Sequence, residues 1–405
     1  MMDKRQARET IVRAGIELMK SGLIVRTWGN ISCRLDDTLF AITPSGRAYE
    51  TLKPEDIVIC NIANANAVPG AGNINPSSEK GVHALIYRQS RDAGFVIHTH
   101  QRFASAVASS NVAAIQDDRM GKIPVAAYSL SGTKKLIRNV EAVLAQANGA
   151  VLMSHHGALC YGKEYGETFS AALALEEACE RFVYDIYMKD SGEKDFDKPK
   201  MLDYYVRKVA TNAAERSSNA YAPVQVPVFN IKSSKRSGAG IIASTADGDT
   251  TYGDIAYPNN ASSMPDEARL HFAIYKARPE INYIELADQE NVVAVSLAQK
   301  PLPQLLDDFA QMMGKPMRIA PYKAQGSTPD AIVKALGKTG GVLVPGAGAL
   351  CCAATETDAH ALCLVTEKNS LAEICAAMLG KPKTLTPFDC YLMHLVYSRK
   401  YAKLY

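Results

Sequence analysis

Apolar positions in residues 5–20 fall at helical spacing, with Ile11, Gly15 and Leu18 on one line and Val12, Ile16 and Met19 beside it. Gly22 supplies the stop. The period then shortens. TLFAIT (38–43) and DIVICNI (56–62) read as strands, separated by the turn-rich TPSGRAYE and followed by the loop NANAVPGAGNINPSS. Helical spacing returns at 79–91, and GFVIHTH (94–100) reads as a buried strand ending in polar residues. NGAVLMSHHGALCYG (148–162) is another strand running into a loop, and 164–188 form a long amphipathic helix. Strands interleaved with helices predict an α/β sandwich on one central sheet.

Polar stretches at KDSGEKDFDKPK (189–200) and SSNAYAPVQVP (217–227) are the linker candidates, bracketing a short helix at about 200–217. Beyond them the chain repeats itself. Residues 77–108 lie over 263–296, so that Glu79 meets Glu267, His83 meets His271 and Tyr87 meets Tyr275. NGAVLMSHHGALC (148–160) lies over TGGVLVPGAGALC (339–351). A period of about 190 residues marks duplicated domains, since solenoid units are far shorter. The expected division is a domain at 1–190, a linker with a short helix at 191–221 and a second domain at 222–405. The copies differ where chemistry would reside: His98 falls opposite Leu286, His100 opposite Asp288 and His156 opposite Ala347.

Composition narrows the function classes. A net charge of +3 argues against an electrostatic nucleic-acid binder, which concentrates Lys and Arg on one face. No run approaches the roughly 18 apolar residues needed to cross a bilayer, and MMDKRQARET has no apolar signal core, so a cytoplasmic protein is expected. The nine cysteines form no CxxC pair and sit mostly in apolar runs, which reads as reduced core thiols.

The His98-Thr99-His100 pair ends a strand. Period-2 alternation puts both imidazoles on one face, about 6–7 Å apart along the chain, close enough to share a metal. His155-His156-Gly157 brings a third imidazole, and three neutral ligands leave a coordination position open, as a catalytic site requires. The alternative is two structural histidines and an unrelated pair in a loop. Loss of the whole set from the second copy favours the metal reading. Ser77 and Ser78 can cap the helix that follows, where exposed amides make an anion site, and Glu79 is either a functional carboxylate or a first-turn acid favouring the helix dipole. His83, kept in the second copy as His271, reads as structural. Thr27–Ser32 and Thr43–Gly46 are small polar turns that admit close approach of a phosphate.

In order, TWGNIS, ITPSGRAYE, PSSE, VIHTH and SHHGALC resemble the class II aldolase/adducin family, most closely the L-fuculose-phosphate aldolase type, over residues from about 5 to 190. The resemblance implies an αβα sandwich around a central, mainly antiparallel sheet, here duplicated in tandem. It implies a divalent metal, Zn2+, on His98, His100 and His156, a catalytic acid/base at Glu79, and phosphate contacts at Gly29, Asn30, Ser45, Gly46, Ser77 and Ser78. It further implies a lyase that makes or breaks a C–C bond of a phosphorylated ketose through an enediolate, in a homo-oligomeric ring with sites at subunit interfaces. A catalytic tyrosine of the aldolases falls in a segment resembling AAIQDDRM, where this chain has Asp117 beside Asp118. The related 4-epimerases use an aspartate near there but lack the glutamate found here as Glu79. Sugar-acid-phosphate decarboxylase, pentulose-phosphate 4-epimerase and a non-catalytic adducin-like scaffold are therefore the alternatives. Asp307-Asp308 roughly matches Asp117-Asp118, and the second copy is expected to complete the first one's site in trans.

Overall fold

Asp3 starts the first helix, α1 (Lys4–Lys20), by accepting from the Arg5 and Gln6 amides, each at 2.9 Å. The Ile11–Leu18 stripe is buried, and the chain leaves the helix through Gly22 at φ 74°. In the computed structural model, which describes residues 2–24, 26–69, 74–214, 229–253, 264–321, 328–380 and 383–401, two units follow. They are built chiefly from Met1–Ile186 and from Tyr187–Met378 with Thr384–Lys403.

The first unit continues with β1 (Asn30–Arg34), β2 (Leu39–Ile42), β3 (Val58–Asn61), α2 (Lys80–Gln89), β4 (Phe95–Thr99) and α3 (Arg102–Ser109). Then come β5 (Ala114–Asp117), β6 (Gly121–Ala126), α4 (Lys134–Leu144), β7 (Ala150–Met153), β8 (Gly157–Gly162) and α5 (Tyr165–Ser191). The eight strands form one sheet in the order β3-β2-β1-β4-β8-β7-β6-β5. All neighbours are antiparallel except β6 and β7, whose parallel pairing requires the α4 crossover. Val82, Leu85 and Ile86 of α2 and Leu136 and Val140 of α4 pack with Val96, Val151 and Leu159 on one face. Ile31, Ile97 and Cys160 alternate with these and are as deeply buried, while α1 packs against β1 and α3 against β7 and β8.

After α6 (Lys198–Ala214), the second unit holds β9 (Ser233–Ser237), β10 (Gly240–Thr245), β11 (Gly248–Tyr252), α7 (Asp266–Ala277), β12 (Tyr283–Ala287) and α8 (Glu290–Leu297). It ends with α9 (Asp307–Met313), β13 (Arg318–Ile319), α10 (Pro329–Leu336), β14 (Gly341–Val344), β15 (Gly348–Ala353), α11 (Glu356–Leu379) and α12 (Pro387–Val396). Its sheet order, β11-β10-β9-β12-β15-β14-β13, repeats the first strand for strand, down to the one parallel pair, except that β5 shrinks to a single antiparallel bridge between Leu302 and Met317. The duplication extends to a buried polar knot. Ser32 Oγ bonds His83 Nδ1 at 2.6 Å and the Tyr87 hydroxyl at 2.8 Å, and Ser234 Oγ bonds His271 Nδ1 at 2.7 Å and the Tyr275 hydroxyl at 2.9 Å.

The helix expected near 200–217 is α6, and the 189–200 stretch is the end of α5 and the turn into α6. SSNAYAPVQVP, and residues 70–73 of the loop before Ser77, lie outside the described residues. All nine cysteines are buried and unbridged. Among the described residues, no helix is long and apolar enough to cross a membrane.

Candidate metal centre and active site

The end of β4 and the β7–β8 turn meet because β4 and β8 are neighbours in the sheet. His98 is fully buried on β4, and His100 follows just past the strand end. His156 comes from the turn. Its amide bonds back to the Met153 carbonyl at 3.0 Å, and His155 takes the left-handed conformation at φ 61°. That twist sends the two histidines apart: the His155 ring meets Tyr128 edge-on at 5.5 Å, while His156 turns toward His98. Gly157 permits the approach, since a Cβ there would lie 2.1 Å from the Thr99 carbonyl oxygen.

The three Nε2 atoms converge. His98 Nε2 stands 3.0 Å from that of His100 and 2.9 Å from that of His156. A tetrahedral ion with bonds of 2.0–2.1 Å would space its ligands at about 3.3 Å, so the cluster accepts one after a shift of a few tenths of an ångström. His98 Nδ1–H donates to the Ala158 carbonyl at 2.9 Å, which turns the Nε2 lone pair inward. Burial pushes the His98 pKa down to about 3, so that lone pair is available at neutral pH. The donor set fits a divalent cation such as zinc.

Glu79 is buried against the cluster, with Oε2 3.1 Å from His98 Nε2 and Oε1 3.1 Å from His156 Nε2. Asn30 Nδ2 donates to Oε2 at 2.9 Å and Ser131 Oγ to Oε1 at 3.1 Å. Burial would raise this carboxyl, but the neighbouring His98 and His156 outweigh it and hold Glu79 well below the usual carboxylate range. Its side chain makes no capping bond to α2; instead its own amide donates to Ser77 Oγ at 3.2 Å. The carboxylate therefore faces the histidines and does no work for the helix.

The expected phosphate turns lie near one another. The Ser45 amide bonds the Asn75 carbonyl at 2.9 Å and the Ser77 amide the Thr43 carbonyl at 3.0 Å, which zips the Ser45-Gly46 turn to the Ser77-Ser78 turn. Gly132 lies against Ser78, where a Cβ would come within 3.2 Å. Gly29 holds φ 109° with its carbonyl accepting from the Tyr49 hydroxyl at 3.1 Å. The Asn30 side chain is committed to Glu79 and to His83, whose Nε2 bonds Asn30 Oδ1.

Asp117 is not brought to this cluster within its own unit. It ends β5, four strands from β4 and so roughly 19 Å along the sheet. Its Oδ1 caps the turn through the Arg119 and Met120 amides at 3.0 Å each, and its Oδ2 takes Arg181 at 2.7 Å. Burial opposes ionisation, but the Arg181 bond and the two amides win and hold its pKa below the usual value. Asp307 and Asp308 differ from it in kind. They open α9, are buried, and Asp308 pairs with Lys368 inside the second unit. The sequence match between the two Asp-Asp pairs is thus not a structural one: Asp117 ends a strand, whereas Asp307 and Asp308 open a helix between the bridged residues Leu302 and Met317. Sequence reasoning missed Ser131 and the Ala158 carbonyl; the Ser131-Gly132 turn before α4 is the one local signal for Ser131.

At the corresponding places of the second unit, Leu286 and Ala347 are buried in its apolar core. Asp288 pairs with Lys232, the counterpart of Asn30, at 2.6 Å. Glu267 accepts from the Asn230 and Ile231 amides at 2.7 and 2.8 Å.

The chain belongs to the class II aldolase and adducin family: the model of the Class II Aldolase and Adducin N-terminal domain matches residues 9–183 and again 237–374. Among curated relatives, the 5-deoxy-D-ribulose 1-phosphate aldolase of Bacillus thuringiensis serovar kurstaki is 31% identical over 204 residues, 49% of this chain and 90% of the relative. An L-ribulose-5-phosphate 4-epimerase of Salmonella typhi is 27% identical over 226 residues, 52% of this chain and 97% of the relative. A solved L-fuculose 1-phosphate aldolase is similar with a TM-score of 0.40 at 27% identity, over 48% of this chain and 92% of that one.

Proposed function

We propose that the first unit is a zinc-dependent aldolase acting on a phosphorylated ketose, with His98, His100 and His156 holding the metal. The observation that carries this is the Glu79 carboxylate, buried 3.1 Å from two ligand nitrogens and fixed by Asn30 and Ser131. When bound, the divalent cation supplies Lewis-acid stabilisation of negative charge developing on the donor oxygens. Glu79 moves the proton at the donor carbon, a general acid/base role for which its fixed position suits it. The turns at Gly29, Ser45-Gly46 and Ser77-Ser78 hold the phosphate and set that carbon in reach of Glu79, whose carboxylate the Asn30 side chain holds. Asp117 serves the aldehyde side only from another copy, which fits a cytoplasmic homo-oligomeric ring with shared sites.

Asp117 favours one rival, 4-epimerisation of a pentulose phosphate, in which the same retro-aldol cleavage is followed by recombination on the other face. A panel of phosphorylated ketoses analysed by mass spectrometry and NMR separates the two. The proposal expects a triose phosphate and a free aldehyde as products; an epimer with its carbon skeleton intact would replace it with the rival.

A further inference from the structure

Glu79 does not hold its place alone. Its Oε2 is acceptor-only, so the Asn30 atom facing it at 2.9 Å is the Nδ2 donor, and the amide oxygen faces His83. That oxygen only accepts, which requires His83 Nε2 to carry its proton. The neutral ring then presents a bare Nδ1, which accepts from Ser32 Oγ at 2.6 Å, and Ser32 accepts in turn from the Tyr87 hydroxyl at 2.8 Å. Every donor and acceptor along Tyr87, Ser32, His83, Asn30 and Glu79 has one direction, and all five side chains are buried.

The second unit supplies an internal control. It keeps the Nδ1 side of this arrangement in Ser234, His271 and Tyr275. It lacks the other side: Lys232 stands in place of Asn30 and points to Asp288, and His271 Nε2 meets no partner among the described residues. The half of the chain shared by both units is what the fold needs. The half lost together with the histidine ligands is what the site needs.

We infer that His83 and Asn30 are positioning residues for Glu79: the tautomer of His83 sets the direction of the Asn30 amide, and the amide holds Glu79 Oε2 beside the ligand nitrogens. The inference rests on the reading of Glu79 as acid/base, but its first test does not. In zinc-loaded, 15N-labelled full-length protein, two-bond proton–nitrogen correlation reads the His83 tautomer. The Nε2–H form is expected; the Nδ1–H form overturns the inference whatever the enzyme catalyses. The second test follows exchange of the donor-carbon proton of dihydroxyacetone phosphate with deuterated solvent. Asn30→Ala is expected to lower kcat about 10- to 100-fold. KM and zinc content stay near wild type in this variant. A raised KM with kcat unchanged would overturn the inference and leave Asn30 as a phosphate contact. His83→Phe should lower kcat likewise, while His271→Phe, with a similar loss of thermal stability, leaves it unchanged. Equal kcat losses in these two variants would make the effect one of folding and overturn the inference. If the wild type exchanges no proton, the aldolase reading fails and the tautomer measurement alone decides.

Discussion

Gly157→Ala tests how tightly the β7–β8 turn sets the metal centre. The added Cβ would lie 2.1 Å from the Thr99 oxygen and 3.3 Å from His98 Cε1. Ordinary C···O contact needs about 3.3 Å, so the turn must retreat from β4 by about 1 Å. His156 precedes that glycine and His98 precedes Thr99, so the retreat opens the distance between two ligands. Metal sites tolerate about 0.2 Å, so a 1 Å error is expected to weaken zinc binding by at least about 100-fold. The steric cost to folding is about 1–3 kcal/mol. Gly348 is the matching position in the second unit, where a Cβ would also lie 2.1 Å from a carbonyl oxygen, that of Ala287. Gly348→Ala should therefore lower thermal stability at least as much and leave zinc affinity untouched. Chelator competition with a chromophoric zinc indicator, beside thermal denaturation, measures both quantities. Wild-type zinc affinity in Gly157→Ala, or equal zinc loss in Gly348→Ala, would refute the reasoning.

His98→Ala or His156→Ala should purify without stoichiometric metal and without activity, whereas His155→Ala, whose ring meets Tyr128, should keep its metal by elemental analysis. Glu79→Gln should retain the fold by circular dichroism and lose about two to four orders of magnitude in turnover; near-normal turnover would remove Glu79 from the chemistry. Burial pushes the His271 pKa down to about 4. Against an unfolded value near 6.5, the unfolded state takes up the proton first, so the stability is present above pH 6.5 and is lost as pH falls to about 4. The loss is about 3 kcal/mol, readable in acid denaturation of the chain. The His271 ring resonances should titrate near pH 4, and a midpoint near 6.5 would contradict its burial without a charge partner.

What was legible in the sequence followed from local spacing. His98 and His100 show through period-2 alternation at a strand end, whereas the choice of His156 over His155 rests on the family resemblance. Its physical setting, before a glycine that touches the neighbouring strand, appears only in the fold. The tandem sheets were legible because matched core positions recur one copy later. β1 was not, and reads as a turn, because its inward residues Asn30 and Ser32 are polar; their burial is bearable only once His83, Tyr87 and Glu79 arrive from α2 and its N-terminus. β8 was missed for a related reason, as the polar turn before it hides the apolar run that follows. Ser131 reaches Glu79 from 52 residues away, a contact that no local pattern encodes. Asp117 and Asp307 looked alike because two acids in a row are read without their setting, one a strand-end turn and the other a buried helix start.

His98, His100 and His156 are proposed to make one metal centre in the first unit, and the second unit to make none. X-ray absorption at the zinc edge, combined with metal analysis of the purified full-length protein, tests this most directly. One zinc per 405-residue chain is expected. Its shell should contain three imidazole nitrogens at about 2.0 Å and no sulfur. Two metals per chain, a sulfur-containing shell or a chain that takes up no stoichiometric zinc would contradict the account.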